Sequence, residues 1–200
     1  APGQVLKRVL ALYHGKGWEP VVASERDFFL VKQNTDADYP LEPPVGRSGR
    51  AESGRPAYGV DAVNEFEGLF DQIYNFCASM RVEVDTLSHE AGNGQMEVNF
   101  NHGEALEQAD QVFLFKRTVR QVALRMGLYG TFMAKPMQNE PGSAMHIHQN
   151  LVDAETRRNL FADDDGKDTP MFRWFIGGLR KYLPAAMLLF APNVNSYRRL

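Results

Sequence analysis

Between Thr131 and Leu151 the chain reads TFMAKPMQNEPGSAMHIHQNL, with two histidines two residues apart just after a Gly-containing turn. Side chains alternate between the faces of a β-strand, so His146, His148 and Asn150 share one face, and Met145, Ile147 and Leu151 take the other. A strand that is apolar behind and carries two imidazoles in front is suited to present them in a cleft. Taken alone, the pair fits an exposed edge strand with incidental histidines equally well. Two further segments present carboxylates with the same geometry, and they change the balance.

The first is SHEAGNGQMEVNF, Ser88 to Phe100. Gly92, Asn93 and Gly94 mark a turn or bulge, after which Gln95, Glu97 and Asn99 alternate with Met96, Val98 and Phe100. That period of two is a half-buried strand with a polar front. Glu90 and Glu97 flank the turn, so the chain can fold back and bring both carboxylates to one place. The second is VVASERDFFLV, Val21 to Val31, whose apolar ends suggest an interior strand. Glu25 and Asp27 fall on one face of it, with Arg26 pointing the other way. Acidic groups in a strand core are costly to bury unless they are paired or bound to a metal. Glu25, Asp27, Glu90, Glu97 and His146 therefore suggest a site for a hard divalent cation, Mg²⁺ or Mn²⁺ in preference to a structural zinc. The alternative is a set of solvated strand faces.

The rest of the chain points to an α+β domain of 200 residues. A short amphipathic helix is expected over Val5 to Tyr13, ending near Gly15 and Gly17. Residues 34–59, with Pro40, Pro43, Pro44, Arg47, Arg50 and Arg55, form a loop by composition and lack a P-loop pattern. Helices are expected from about Asp61 to Met80, from about Asp110 to Met126, and from about Pro170 until Pro184 interrupts. Cys77 falls on the apolar stripe of the first of these with Phe66, Phe70 and Ile73, which makes it core packing and not a nucleophile. The segment Leu160 to Lys167 is turn-like and does not match an EF-hand loop. A net charge of −3 gives no basic footprint for nucleic acid. A single cysteine cannot form an intrachain disulfide, no apolar run is long enough to span a membrane, and no signal peptide is visible. A soluble cytoplasmic protein is the expectation.

The segments ExxFFL, HEAGNGQMEVN, TFMAKP, PGSAMHIHQ and APNVNSYRRL occur in the order and at the approximate spacing of the glutamine synthetase catalytic domain. The chain resembles that family over essentially its whole length. It looks most like the branch that makes γ-glutamylpolyamines, γ-glutamylputrescine among them, through the insertion from Asp36 to Cys77 and the phrase KPMQNEPGSAMHIHQ. The resemblance implies a curved, largely antiparallel sheet flanked by helices. It implies an ATP-dependent ligase that activates glutamate as γ-glutamyl phosphate and lets ammonia or an amine displace the phosphate. By position, Asp27, Glu90 and Glu97 match ligands of one Mg²⁺ or Mn²⁺ ion, and Glu25 and His146 match ligands of a second. His148 and Asn150 match positions beside ATP, Gly142 lies in the loop that receives glutamate, and Arg199 matches an arginine that binds its carboxylate. Glu97 and Arg199 are the positions implied to act directly in the reaction. Lys135 is read as structural or solvated.

Four positions depart from the family pattern: Asp27 stands where Glu is usual, Ser24 and Arg26 replace residues that are usually apolar or Pro, and Asn150 replaces a usual Ser. Residues 1–200 match the central part of the catalytic domain, without the small N-terminal β domain and the C-terminal remainder. On that reading the fragment alone is inactive, and the full-length protein forms a homo-oligomeric ring. Two other readings are glutamine synthetase proper, using ammonia, and a non-catalytic relative that binds an amine or a nucleotide.

Overall fold

The computed structural model describes residues 2–54 and 57–199, so Arg55 of the arginine-spaced loop lies outside the described residues. The elements in chain order are α1 (Pro2–His14), β1 (Trp18–Lys32), α2 (Val60–Asn64), α3 (Glu67–Ser79), β2 (Val84–His89), β3 (Gln95–Phe100), β4 (Gly103–Glu104), α4 (Ala105–Arg125), β5 (Leu128–Thr131), β6 (Met145–Asp153) and α5 (Pro170–Phe190), followed by a 3₁₀ turn, Val194–Arg199. The fold is α+β. One six-stranded sheet runs β2-β3-β1-β4, with β5 and β6 also paired to β1. The pairings of β1 with β3, β4 and β5, and of β2 with β3, are all antiparallel.

The chain divides into two compact units, residues 24–101, 110–146 and 194–200 in one, and residues 1–23, 102–109 and 147–193 in the other. The first holds the main core. Phe28 and Leu30 of β1 and Met96, Val98 and Phe100 of β3 supply the sheet side, while Phe66, Phe70, Ile73 and Cys77 and then Phe115, Val119 and Val122 supply the helical side. Phe115 stacks edge-on against both Phe28 and Phe100, with centroids 6.1 and 5.2 Å apart, a favoured aromatic geometry. Burial pushes the Cys77 thiol up to about 11, which keeps it protonated and inert near neutral pH.

The expected helix from Asp61 to Met80 is two helices, α2 and α3, because Phe66 leaves helical geometry (φ −119°, ψ 20°) to enter the core. Glu65 at the break turns back to the loop, where its carboxylate accepts the Ser48 N–H and its carbonyl accepts the Arg47 N–H. The helix expected from Asp110 starts a turn earlier, at Ala105, where the Glu104 carboxylate accepts the Glu107 N–H at 2.8 Å.

In the other unit, Pro184 does not interrupt α5, which runs from Pro170 to Phe190. A proline removes one helical hydrogen bond, but the Ala, Met and Leu residues after it are strong helix formers and carry the helix on. Thr169 caps its start by accepting the Phe172 N–H, and Phe161 packs on Phe172 and Phe175. No residue of α5 is buried among the described residues. No helix is long and apolar enough to cross a membrane among the described residues.

Candidate active site

The alternation along β1 and β3 places the acids. Asp27 stands directly opposite Glu97 across the two strands, and Glu25 opposite Asn99, so one sheet face collects Glu25, Asp27, Gln95 and Glu97 while Phe28 and Met96 face the core. His146 at the start of β6 brings Nδ1 to 2.9 Å from a Glu25 carboxylate oxygen. One ligand atom each from Glu25, Glu97 and His146 lies within 4.8 Å of the others, a set that can hold a metal ion. The donors are two carboxylates and an imidazole, which suits Mg²⁺ or Mn²⁺.

Electrostatics point the same way. Glu97 is pushed up to about 7, first by burial and then by the charges of Asp27, Glu25 and Glu90, with a hydrogen bond to Asp27 added. Asp27 is raised as well, by burial first; the Ala144 N–H and the hydrogen bond to Glu97 oppose this, and the Glu90 charge adds to it. Opposed carboxyls with no cation between them share a proton instead of both ionising. A divalent ion is the group whose binding would relieve that crowding.

Asp27 is not in the three-residue ligand set. It is 7% exposed, and one oxygen accepts the Ala144 N–H at 2.8 Å and lies 3.4 Å from Gln95 Nε2. Glu90 is also outside the set; one of its oxygens accepts the Ala91 N–H at 3.2 Å. Both still act on Glu97 through their charge.

Gly142 and Arg199 are brought into contact. A Cβ at Gly142 would stand 2.6 Å from Arg199 Cγ, so only a bare backbone lets the arginine pass. The Arg199 guanidinium donates to the carbonyls of Ser143 (3.1 Å) and Ser196 (3.2 Å). Asn195 fixes the 3₁₀ turn by accepting the Lys135 N–H at 2.8 Å and donating to the Lys135 carbonyl at 2.9 Å. Lys135 Nζ donates to the Glu140 carbonyl, a structural role.

His148 and Asn150 follow on β6 in the other unit, His148 exposed and Asn150 accepting the Leu151 N–H. The apolar back expected for this strand is open at its start: Met145 and Ile147 are 40% and 45% exposed, and only Leu151 is buried. Nothing among the described residues packs over those two side chains closely enough to bury them.

Sequence reasoning passed over three groups around the acids. Gln95 is buried, donates to the Gly142 carbonyl at 3.1 Å and accepts the Gly92 N–H at 3.0 Å; its place on the polar face of β3 was the available signal. His89 is wholly buried, with Nε2 2.7 Å from Glu52 and Nδ1 2.6 Å from the Glu90 carbonyl. Both partners offer acceptor oxygens, an arrangement that favours a proton on each ring nitrogen. Burial alone would lower this imidazole's pKa, but the Glu52 carboxylate and the Glu90 carbonyl outweigh it and hold the pKa above the ordinary value. Glu52, in the loop, gave no signal, because 37 residues separate it from His89.

A family model described as the glutamine synthetase catalytic domain matches residues 1–200. The chain is 35% identical to the γ-glutamylputrescine synthetase of Escherichia coli over 99% of its length and 42% of that relative's. It is 30% identical to the glutamate–methylamine ligase of Methyloversatilis universalis, covering 98% of the chain and 43% of the relative. It is 33% identical to the glutamine synthetase of Pyrococcus abyssi, covering 100% of the chain and 42% of the relative. The solved structure of apo GmaS without ligand superposes with a TM-score of 0.85 at 31% identity, over 100% of this chain and 45% of that one. The chain thus spans less than half the length of the relatives it matches. It belongs to the glutamine synthetase family, and the acid-lined face of β1 and β3 lies in its catalytic domain.

Proposed function

We propose that the protein is an ATP-dependent γ-glutamyl ligase that joins glutamate to an amine, a polyamine such as putrescine, through γ-glutamyl phosphate. The observation that carries this reading is the convergence of Glu25, Glu97 and His146 on one point, beside a Glu97 carboxyl that its neighbours have pushed up to about 7. Attack by a carboxylate on the terminal phosphate of ATP brings anion against polyanion, and positioning and charge stabilisation are most of the catalysis. A bound Mg²⁺ or Mn²⁺ would neutralise that charge and align the attacking and leaving oxygens. Glu25, Glu97 and His146, which the resemblance divides between two ions, converge closely enough that they would share one, with Asp27 and Glu90 adding carboxylate charge beside it. Asp27 also keeps Glu97 in place, because its own oxygen is anchored by the Ala144 N–H. Arg199 passes over the bare backbone of Gly142, is held by two carbonyls, and would offer its remaining N–H donors to the carboxylate of glutamate. His148 and Asn150 are assigned to ATP by the family resemblance, as is a homo-oligomeric ring.

The amine is favoured by the likeness of the Asp36–Cys77 insertion to the polyamine branch. It is also favoured by two relatives named for amine acceptors. A glutamine synthetase at 33% identity supports ammonia as the second reading. Each buried methylene of an alkyl amine contributes up to ~0.8 kcal/mol that ammonia lacks. The test is a competition between ammonia and putrescine on the full-length protein with ATP, Mg²⁺ and glutamate, products resolved by mass. γ-Glutamylputrescine should dominate. Glutamine as the main product would move the acceptor to ammonia, and no ADP with either acceptor would overturn the ligase.

A further inference from the structure

We propose that Glu52 is a positioning residue for the metal-binding hairpin, and that the loop before α2 sets where Glu90 and Glu97 stand. The inference rests on the metal-site reading above and adds a residue to it.

The hairpin joins β2 to β3 through residues 90–94, with His89 paired to Met96 at its base. Some of its bonds are internal: the Glu90 N–H donates to the Gln95 carbonyl, and the Gln95 N–H to the Gly92 carbonyl. Gly94 is held from outside on both sides. Its N–H donates to one Glu52 oxygen, and its carbonyl accepts the Leu30 N–H at 2.8 Å. Gly94 has φ +73°, and a Cβ there would lie 2.4 Å from the Leu30 carbonyl and 2.6 Å from Pro44, so the turn fits the loop only as glycine. The other Glu52 oxygen takes His89 Nε2 at 2.7 Å, and the same imidazole reaches the carbonyl of Glu90 through Nδ1. One carboxylate therefore grips the hairpin on both flanks of Glu90.

Glu52 is itself presented rigidly. Val45 and Ala51 form a bridge, and the Glu52 N–H donates to the Pro44 carbonyl at 3.1 Å. Two more bonds tie the loop to the hairpin: the Gly54 N–H to Asn93 Oδ1, and the Tyr58 N–H to the His89 carbonyl. Groups that orient metal ligands typically change metal affinity or activity by about 10–100-fold when removed.

The test uses the full-length protein and Mn²⁺ alone as probe, with affinity read by calorimetry and unfolding read by thermal melt. Glu52→Ala should weaken Mn²⁺ binding at least about tenfold. Glu52→Gln, which keeps one acceptor in place, should lose less. Ile73→Val, in the core far along the sequence from the acids, supplies a modest stability loss and should leave Mn²⁺ affinity unchanged. If Glu52→Ala lowers only the melting temperature, with Mn²⁺ affinity intact, the positioning role is overturned. Should Glu52→Ala fail to fold, Glu52→Gln carries the test, and affinity equal to the parent overturns the role. Glu97→Ala separates the two levels: loss there with none at Glu52 overturns the role of Glu52 alone, and loss at neither overturns the metal site with it.

Discussion

Of the three strands that bring ligands to the acid face, β3 and β6 are built very differently. β3 is secured on both faces: Met96, Val98 and Phe100 are buried in the core, while Gln95 and Glu97 are hydrogen-bonded into the polar side. The start of β6 is open on both faces, with Met145, His146 and Ile147 all exposed. The β3 carboxylate is thus held by its own strand, whereas the His146 imidazole reaches the acids through its hydrogen bond to Glu25. Charge crowding explains the asymmetry. Acids that repel one another need a rigid frame to stay converged, whereas an imidazole is drawn to a carboxylate and needs little support.

That contrast is sharpest in substitutions of the ligands. Glu97→Ala in the full-length protein should abolish metal-dependent ATP turnover while the melting temperature holds or rises, because it removes a crowded acid and not core packing. His146→Ala, which removes the less supported ligand, should cost less Mn²⁺ affinity than Glu97→Ala, read in the same titration. Equal losses at the two positions would erase the distinction between the strands.

The same crowding sets a pH dependence. Glu97 must be ionised to ligate, so Mn²⁺ affinity should fall as pH drops through about 7. Without metal the sign reverses for stability. The unfolded chain releases this proton near 4.5 and the folded chain holds it to about 7, so the metal-free protein loses stability as pH rises through that window. Glu97→Gln should flatten that part of the melting curve; an unchanged slope would mean that Glu97 is not the crowded acid.

Much of this arrangement was legible in the sequence, and for a physical reason. Alternation reports directly on strand faces, so Glu25, Asp27 and Glu97 could be placed together, and the helical spacing of Phe66, Phe70, Ile73 and Cys77 reported the core. What escaped depends on contacts distant in sequence. The break at Phe66 follows from a side chain entering the core, and the Glu52–His89 pair joins residues that no local pattern relates. Asp27 was placed on the correct face, but the Ala144 N–H that occupies its oxygen comes from 117 residues away.

The smallest expected effect concerns the other face of β1. Arg26 lies 5.3 Å from the Phe132 ring centre, with Lys116 and Arg120 at 5.3 and 5.4 Å from the same ring. Its Nε is buried with no hydrogen-bond partner among the described residues. Burial, opposed by Asp27 and assisted by the charges of Arg199 and Arg120, pulls its pKa below the usual value. Arg26→Met removes an incompletely satisfied charge and keeps the bulk, so it should be neutral or stabilising by about 1 kcal/mol. Thermal melts check this, and a large destabilisation would show that the cation stack on Phe132 holds this edge of the sheet.

The central claim is that Glu25, Glu97 and His146 bind one divalent ion, and pulsed electron paramagnetic resonance of Mn²⁺ in the full-length protein tests it most directly. The account predicts nitrogen coupling from a directly bound imidazole, present in the parent protein and lost in His146→Ala. A Mn²⁺ signal without nitrogen coupling, or with coupling that survives that substitution, would contradict it.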